Sequence, residues 1–184
     1  MRRVLLIPTI VTLTTAVSAV SSSSQDRELG SPPQASQHGV VAQTVNRTVI
    51  TLGYDRPVAR GRELFGNLVE YDAIWTPGAN RATWIDFSEP VKLEGNALDA
   101  GRYAIWMVPK ENEPWEIVVV REWDTDHGLF PFGQEVFRAM VRPETGAHME
   151  VLAYYFPVVG PYETTLRFHW GSTIIPLRIE VGTQ

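Results

Sequence analysis

The stretch Thr165-Leu-Arg-Phe-His-Trp-Gly-Ser-Thr-Ile-Ile-Pro-Leu-Arg-Ile-Glu-Val181 decides the fold class. Leu166, Phe168 and Trp170 alternate with Thr165, Arg167 and His169. Ile175, Leu177, Ile179 and Val181 alternate with Pro176, Arg178 and Glu180. A period of two puts successive side chains on opposite faces, so each run predicts a strand with one buried face. Gly171-Ser172 predicts a hairpin turn between the two runs, which also accounts for Ser172. Pro176 cannot donate to a ladder, so the last strand is expected at an edge or to begin at a bulge.

The same period recurs upstream. Ile50, Leu52 and Tyr54 occupy alternate positions, as do Thr83, Ile85 and Phe87. So do Tyr103, Ile105 and Met107, and again Phe137, Ala139 and Val141. Glu116 to Val120 is continuous and suits a central strand covered on both sides. Turn signals punctuate the runs at Asn46-Arg47, Pro77-Gly78, Glu94-Gly95-Asn96, Ala100-Gly101, Glu113-Pro114, Gly146 and Gly160-Pro161. Roughly eight to ten short strands at such spacing predict an all-β protein, an antiparallel, jelly-roll-like β-sandwich. One stretch, Arg62 to Val69, is a helical candidate, and Gly66 limits it to about two turns. The first ordered strand, Gly39 to Val45, is expected to pair through Asn46-Arg47 with Val49 to Tyr54 of the same chain.

The chain has 184 residues, a length suited to one domain. It has no cysteine, so disulfides and thiolate metal sites are excluded, and the core must be built from its six Trp, seven Phe and six Tyr. Met1-Arg2-Arg3, the apolar stretch Val4 to Val17 and the small residues Val17 and Ala19 form the pattern of an export signal cleaved after Ala19. The stretch is too short and Thr-rich to span a bilayer, which takes about 20 apolar residues. The expected organisation is a signal peptide at 1–19, a flexible Ser/Gln/Pro-rich lead at 20–38 and a single sandwich domain at 39–184. The mature protein would be periplasmic or extracellular, without a membrane span, and a monomer or small oligomer. Its formal charge of −5 falls to −7 once Arg2 and Arg3 are removed, which argues against nucleic-acid binding.

Several motifs come in order along the chain: Tyr54-Asp-Arg56-Pro57, Gly61-Arg62-Glu-Leu-Phe65-Gly66, Trp75-Thr-Pro-Gly78-Ala79-Asn80-Arg-Ala-Thr83, Leu98-Asp-Ala100-Gly101-Arg-Tyr103, Pro109 and Trp115-Glu-Ile-Val. As a series this resembles the bacterial exported family known as domain of unknown function 2911, over about Gly39 to Val181. The resemblance implies an exported β-rich domain and no particular activity. The family pattern has a basic residue after the tryptophan; here Thr76-Pro77 stands instead, so no role for that residue carries over.

Three constellations carry candidate chemistry. Arg56, Arg60 and Arg62 lie in a loop shaped by Pro57 and Gly61, near Tyr54, and could grip a carboxylate, sulfate or phosphate. Pairing with Asp and Glu residues would equally account for them. The turn Pro77-Gly78-Ala79-Asn80 is flanked by Trp75 and Trp84; it is turn chemistry first, with Asn80 and two aromatic faces also suiting a sugar ring. Asp124-Thr-Asp126-His127 could serve acid–base or metal chemistry, yet it lacks the ligand spacing of a calcium loop or zinc motif and reads equally as an exposed acidic turn. There is no nucleophile signature, no metal motif and no Gly-rich phosphate loop, so no cofactor is expected. The leading expectation is a non-enzymatic domain that binds a small anionic or carbohydrate ligand, or a partner protein, through Tyr54, Arg56, Arg60, Arg62, Trp75 and Asn80. The alternatives are a carbohydrate-active or metal-dependent hydrolase using Asp124, Asp126 and His127, and a structural subunit that self-assembles through strand edges.

Overall fold

A computed structural model describes residues 35–183. The expected signal at 1–19 and residues 20–34 of the expected lead lie outside the described residues. Ten strands follow in chain order: β1 (Gln37–Val45), β2 (Thr48–Arg56), β3 (Trp84–Phe87), β4 (Val91–Leu93), β5 (Asn96–Leu98), β6 (Gly101–Val108), β7 (Trp115–Val120), β8 (Glu135–Val141), β9 (Glu144–Val159) and β10 (Glu163–Val181). They form two antiparallel sheets, ordered β1-β2-β3-β6-β7-β8 and β5-β4-β10-β9. The sheets face each other without closing into a barrel, as the alternating runs predict. Ile50, Leu52, Ile85, Phe87, Ile105 and Met107 point inward from one sheet, and Leu166, Phe168, Leu177 and Ile179 from the other. Each such burial stabilises by about 1.5–3 kcal/mol, which is how a chain without disulfides holds its fold.

The β1–β2 hairpin forms within the chain, with Val45 opposite Thr48 across Asn46-Arg47. Asn46 takes a φ of 52°, the left-handed conformation that a tight hairpin turn requires. The strand begins at Gln37 rather than Gly39, because His38 already pairs with Asp55 at 3.1 Å. β7 is covered on both faces, as its continuous apolar run predicts. β6 is also covered on both faces, which its alternation does not predict. Ala104, Trp106 and Val108 lie buried with Val118 and Val120 beneath Ile74, Trp123 and Phe130.

Four expectations need correction. Gly171-Ser172 is not a hairpin turn: β10 runs unbroken through it. Gly171 has a φ of 57° and sits among register shifts against β9, so it is a bulge that bends the strand. Pro176 does not mark an edge, because β10 lies between β4 and β9. It falls between the end of the β9 ladder, at Ile174, and the start of the β4 ladder, at Ile179, where no donor is needed. Gly146 is not a turn either. It lies inside β9, where a Cβ would stand 2.5 Å from Ile174 Cδ1. Arg62 to Val69 is not helical. The Gly66 and Leu64 backbones close a loop, with Gly66 N donating to Val69 O and Val69 N donating to Leu64 O. Gly66 has a φ of 90°, which no right-handed helix accommodates, and the loop thereby buries both Leu64 and Val69.

Candidate functional site

The turn between the two tryptophans is built inward. Thr76 and Thr83 are fully buried. Thr83 N donates to Thr76 Oγ1 at 3.1 Å, and Thr83 Oγ1 donates to Pro77 O at 3.0 Å. Tyr154 Oη donates to the same carbonyl at 3.1 Å. Gly78 serves close packing, since a Cβ there would stand 2.7 Å from Thr83 Oγ1. The left-handed residue is Asn80, with a φ of 56°. The turn is therefore a structural hinge, and it sends Trp75 and Trp84 to different places.

Trp75 is fixed by paired backbone hydrogen bonds with Met107, both 2.8 Å. Its ring stacks on Trp170 at 6.2 Å with 16° between the planes, and Phe65 meets both rings edge-on. Such aromatic pairs add about 0.5–1.5 kcal/mol each beyond burial and make a stiff wall. Trp84 instead lies against Gly53, where a Cβ would stand 2.3 Å from its ring, and carries the Arg102 guanidinium at 3.9 Å. Its ring is used by the protein's own groups.

The arginine loop is tied to β9 through its backbone. Ala59 N donates to Glu150 O at 2.8 Å, and Leu152 N donates to Pro57 O at 3.0 Å. Arg60 takes a φ of 54°, and its N–H donates to Glu150 Oε1 at 2.6 Å. Glu150 is held below the usual carboxylate range, first by its hydrogen bond from His148 and then by the Arg60 N–H. Arg62 folds back on its own loop, with Nε donating to Ala59 O and Nη2 to Val58 O. The Arg60 guanidinium has no partner among the described residues.

Arg60, Arg62 and Trp75 border one cavity of about 380 Å³, together with Trp170, Ala79 and His127. That volume suits a small molecule. The other three expected site residues lie elsewhere. Tyr54 is a core residue: its Oη accepts from Tyr154 N at 3.1 Å, and its ring meets Tyr154 at 4.7 Å. Arg56 pins β2 to β9, donating through Nε to Leu152 O at 3.1 Å. Asn80 donates to Ser36 O and borders a separate cavity of about 280 Å³ beside Trp84 and Trp123. A wider hollow of about 550 Å³ sets Lys92 and Arg121 beside Asp99 and Glu180, so its charges are balanced, and it holds no indole.

The Asp124–His127 loop lies along the turn, with Ala82 N donating to Thr125 O and His127 N to Asn80 O. Arg81 pairs with Asp124 and, at 3.7 Å, with Asp126. Both carboxylates thus face one guanidinium. Among the described residues, no three His, Cys, Asp or Glu side chains are grouped to hold a metal. Trp170 and Glu150 are the site residues that sequence reasoning missed. Trp170 reads as one more inward position of an alternating strand, and nothing near Glu150 in the chain links it to the arginine loop.

The fold is thus an antiparallel sandwich that carries a basic, aromatic-walled cavity beside Trp75. The chain belongs to the family described as Protein of unknown function (DUF2911), whose model matches residues 36–179. No curated protein and no solved structure matches it.

Proposed function

We propose that this chain is an exported, non-enzymatic binding domain whose cavity between the arginine loop and the Trp75–Trp170 stack takes a small anionic ligand, an acidic sugar foremost. The observation that carries this is the Arg60 guanidinium, without a partner among the described residues at the rim of a cavity walled by two indoles. A guanidinium presents a planar fork that matches a carboxylate bidentately, and an indole face suits the C–H face of a sugar ring. The chain's net charge of −5 repels anions at long range, so an anion site needs such a local basic pair. Export is supported by the charged start, apolar stretch and small residues of the first 19 positions.

Calorimetry with galacturonate, glucuronate and their neutral parent sugars tests the proposal. Saturable binding of an acidic sugar is expected, weakening with salt. Arg60→Ala should weaken it at least tenfold while leaving stability within about 1 kcal/mol, as for an ordinary surface change. Arg62→Ala should weaken it as well. Unaltered affinity in Arg60→Ala would show that the arginine does not meet the ligand, and unfolding of that variant would show that it serves the fold; either result overturns the proposal.

A further inference from the structure

A second cavity, of about 350 Å³, adjoins the first, and Arg62 and Trp170 belong to the walls of both. Its chemistry differs. The first cavity offers the Arg60 guanidinium, which has no partner among the described residues. The second offers hydroxyls: Tyr71, Ser172 and Thr173 border it, and none of the three hydroxyls has a hydrogen-bond partner among the described residues. Phe65 and Trp115 supply its apolar wall, their rings edge-to-face at 4.7 Å. Its other cation, Lys110, is already engaged by Asp72 at 2.7 Å and Glu116 at 3.6 Å. Burial, then the charges of Glu111 and Glu63, push the Tyr71 phenol up, so it stays a neutral donor. On the shared wall, Trp170 Nε1–H is buried without an acceptor among the described residues. Buried donors are ordinarily satisfied. Hydroxyls set over aromatic rings, without partners among the described residues, suit a polyol, not a second anion.

We infer that the two cavities are subsites of one site, and that the ligand is an acidic oligosaccharide of at least two units. One unit would place its carboxylate at Arg60, Arg62 would sit at the junction, and the next unit would meet Tyr71, Ser172 and Thr173. This rests on the binding function proposed above and adds the ligand's length and class.

Titrating the full chain with glucuronic acid, a disaccharide of glucuronic acid and one neutral sugar, and a trisaccharide of glucuronic acid and two neutral sugars separates the two claims. The disaccharide is expected to bind at least tenfold more tightly than the monosaccharide. Tyr71→Phe combined with Thr173→Val should abolish that gain and leave the monosaccharide affinity unchanged; a thermal melt confirms that the variant is folded. Tyr71→Phe alone, which keeps the ring, should give part of the loss if the pair does not fold. Equal affinity for one and two units would overturn the subsite inference alone. A lack of binding by every acidic sugar would overturn the proposed function and this inference together. If a tri-glutamate peptide binds as tightly as the trisaccharide, the site reads charge only and the sugar assignment falls.

Discussion

The turn from Thr76 to Thr83 and the loop from Pro57 to Arg62 both carry proline, glycine and polar residues, yet they direct those groups oppositely. The turn aims its hydroxyls and carbonyls inward, onto one another and onto Tyr154. The loop satisfies itself through backbone bonds to β9 and leaves the Arg60 side chain outside. A turn whose buried hydroxyls are satisfied within the fold is scaffold. The loop from Pro57 to Arg62 is held by its backbone and leaves a guanidinium without a partner among the described residues, which is the feature the proposed function rests on. Trp75 joins the two, because the scaffold turn sets its position and the arginine loop shares its cavity.

Three substitutions sharpen that contrast, in falling order of effect. Trp170→Ala strikes the wall behind both cavities and should cost about 3–5 kcal/mol, the range for truncating a buried aromatic. Denaturant unfolding measures it, and a loss under 1 kcal/mol would mean that the aromatic cluster does not brace the site. Thr83→Val deletes the buried hydroxyl bond to Pro77 O and should cost about 1–3 kcal/mol, with ligand binding reduced only as far as Trp75 shifts. Glu150→Gln should have the smallest effect. Because the folded carboxyl is held below its ordinary range, its contribution is present above that range and disappears as pH falls through the lowered value. The gap in melting temperature between the native chain and Glu150→Gln should therefore be widest near neutral pH and close in acid. A gap that widens in acid would have the sign wrong.

The strands were largely legible because one face of each meets the core and the other meets solvent, which writes a period of two into the chain. β9 was not, because Tyr154-Tyr155-Phe156 is apolar on both faces and Gly146 interrupts it. Glycine misled for a general reason: a turn, a bulge and a close approach ask for the same residue, and only the tertiary neighbour tells them apart. At Gly146 that neighbour is Ile174, and at Gly171 it is Leu64. The site was half legible. Arg60, Arg62 and Trp75 do come together. Tyr54 does not, and its place in the Ile50, Leu52, Tyr54 alternation already put it on the inward face. Asn80 lies apart from Trp75 because it donates to Ser36 O beside Trp84, a contact with a segment 44 residues upstream that no local pattern announces.

In the proposed function the indoles of Trp75 and Trp170 and the Arg60 guanidinium, which border one cavity, face one ligand. Nitrogen-15 NMR of the six indole N–H groups during titration with galacturonate tests it most directly. Single Trp→Phe variants assign the signals. The Trp75 and Trp170 signals should move together and saturate, those of Trp84 and Trp123 should stay in place, and Arg60→Ala should abolish the movement. Saturable movement confined to Trp84 and Trp123, or movement of Trp75 that persists unchanged in Arg60→Ala, would contradict it.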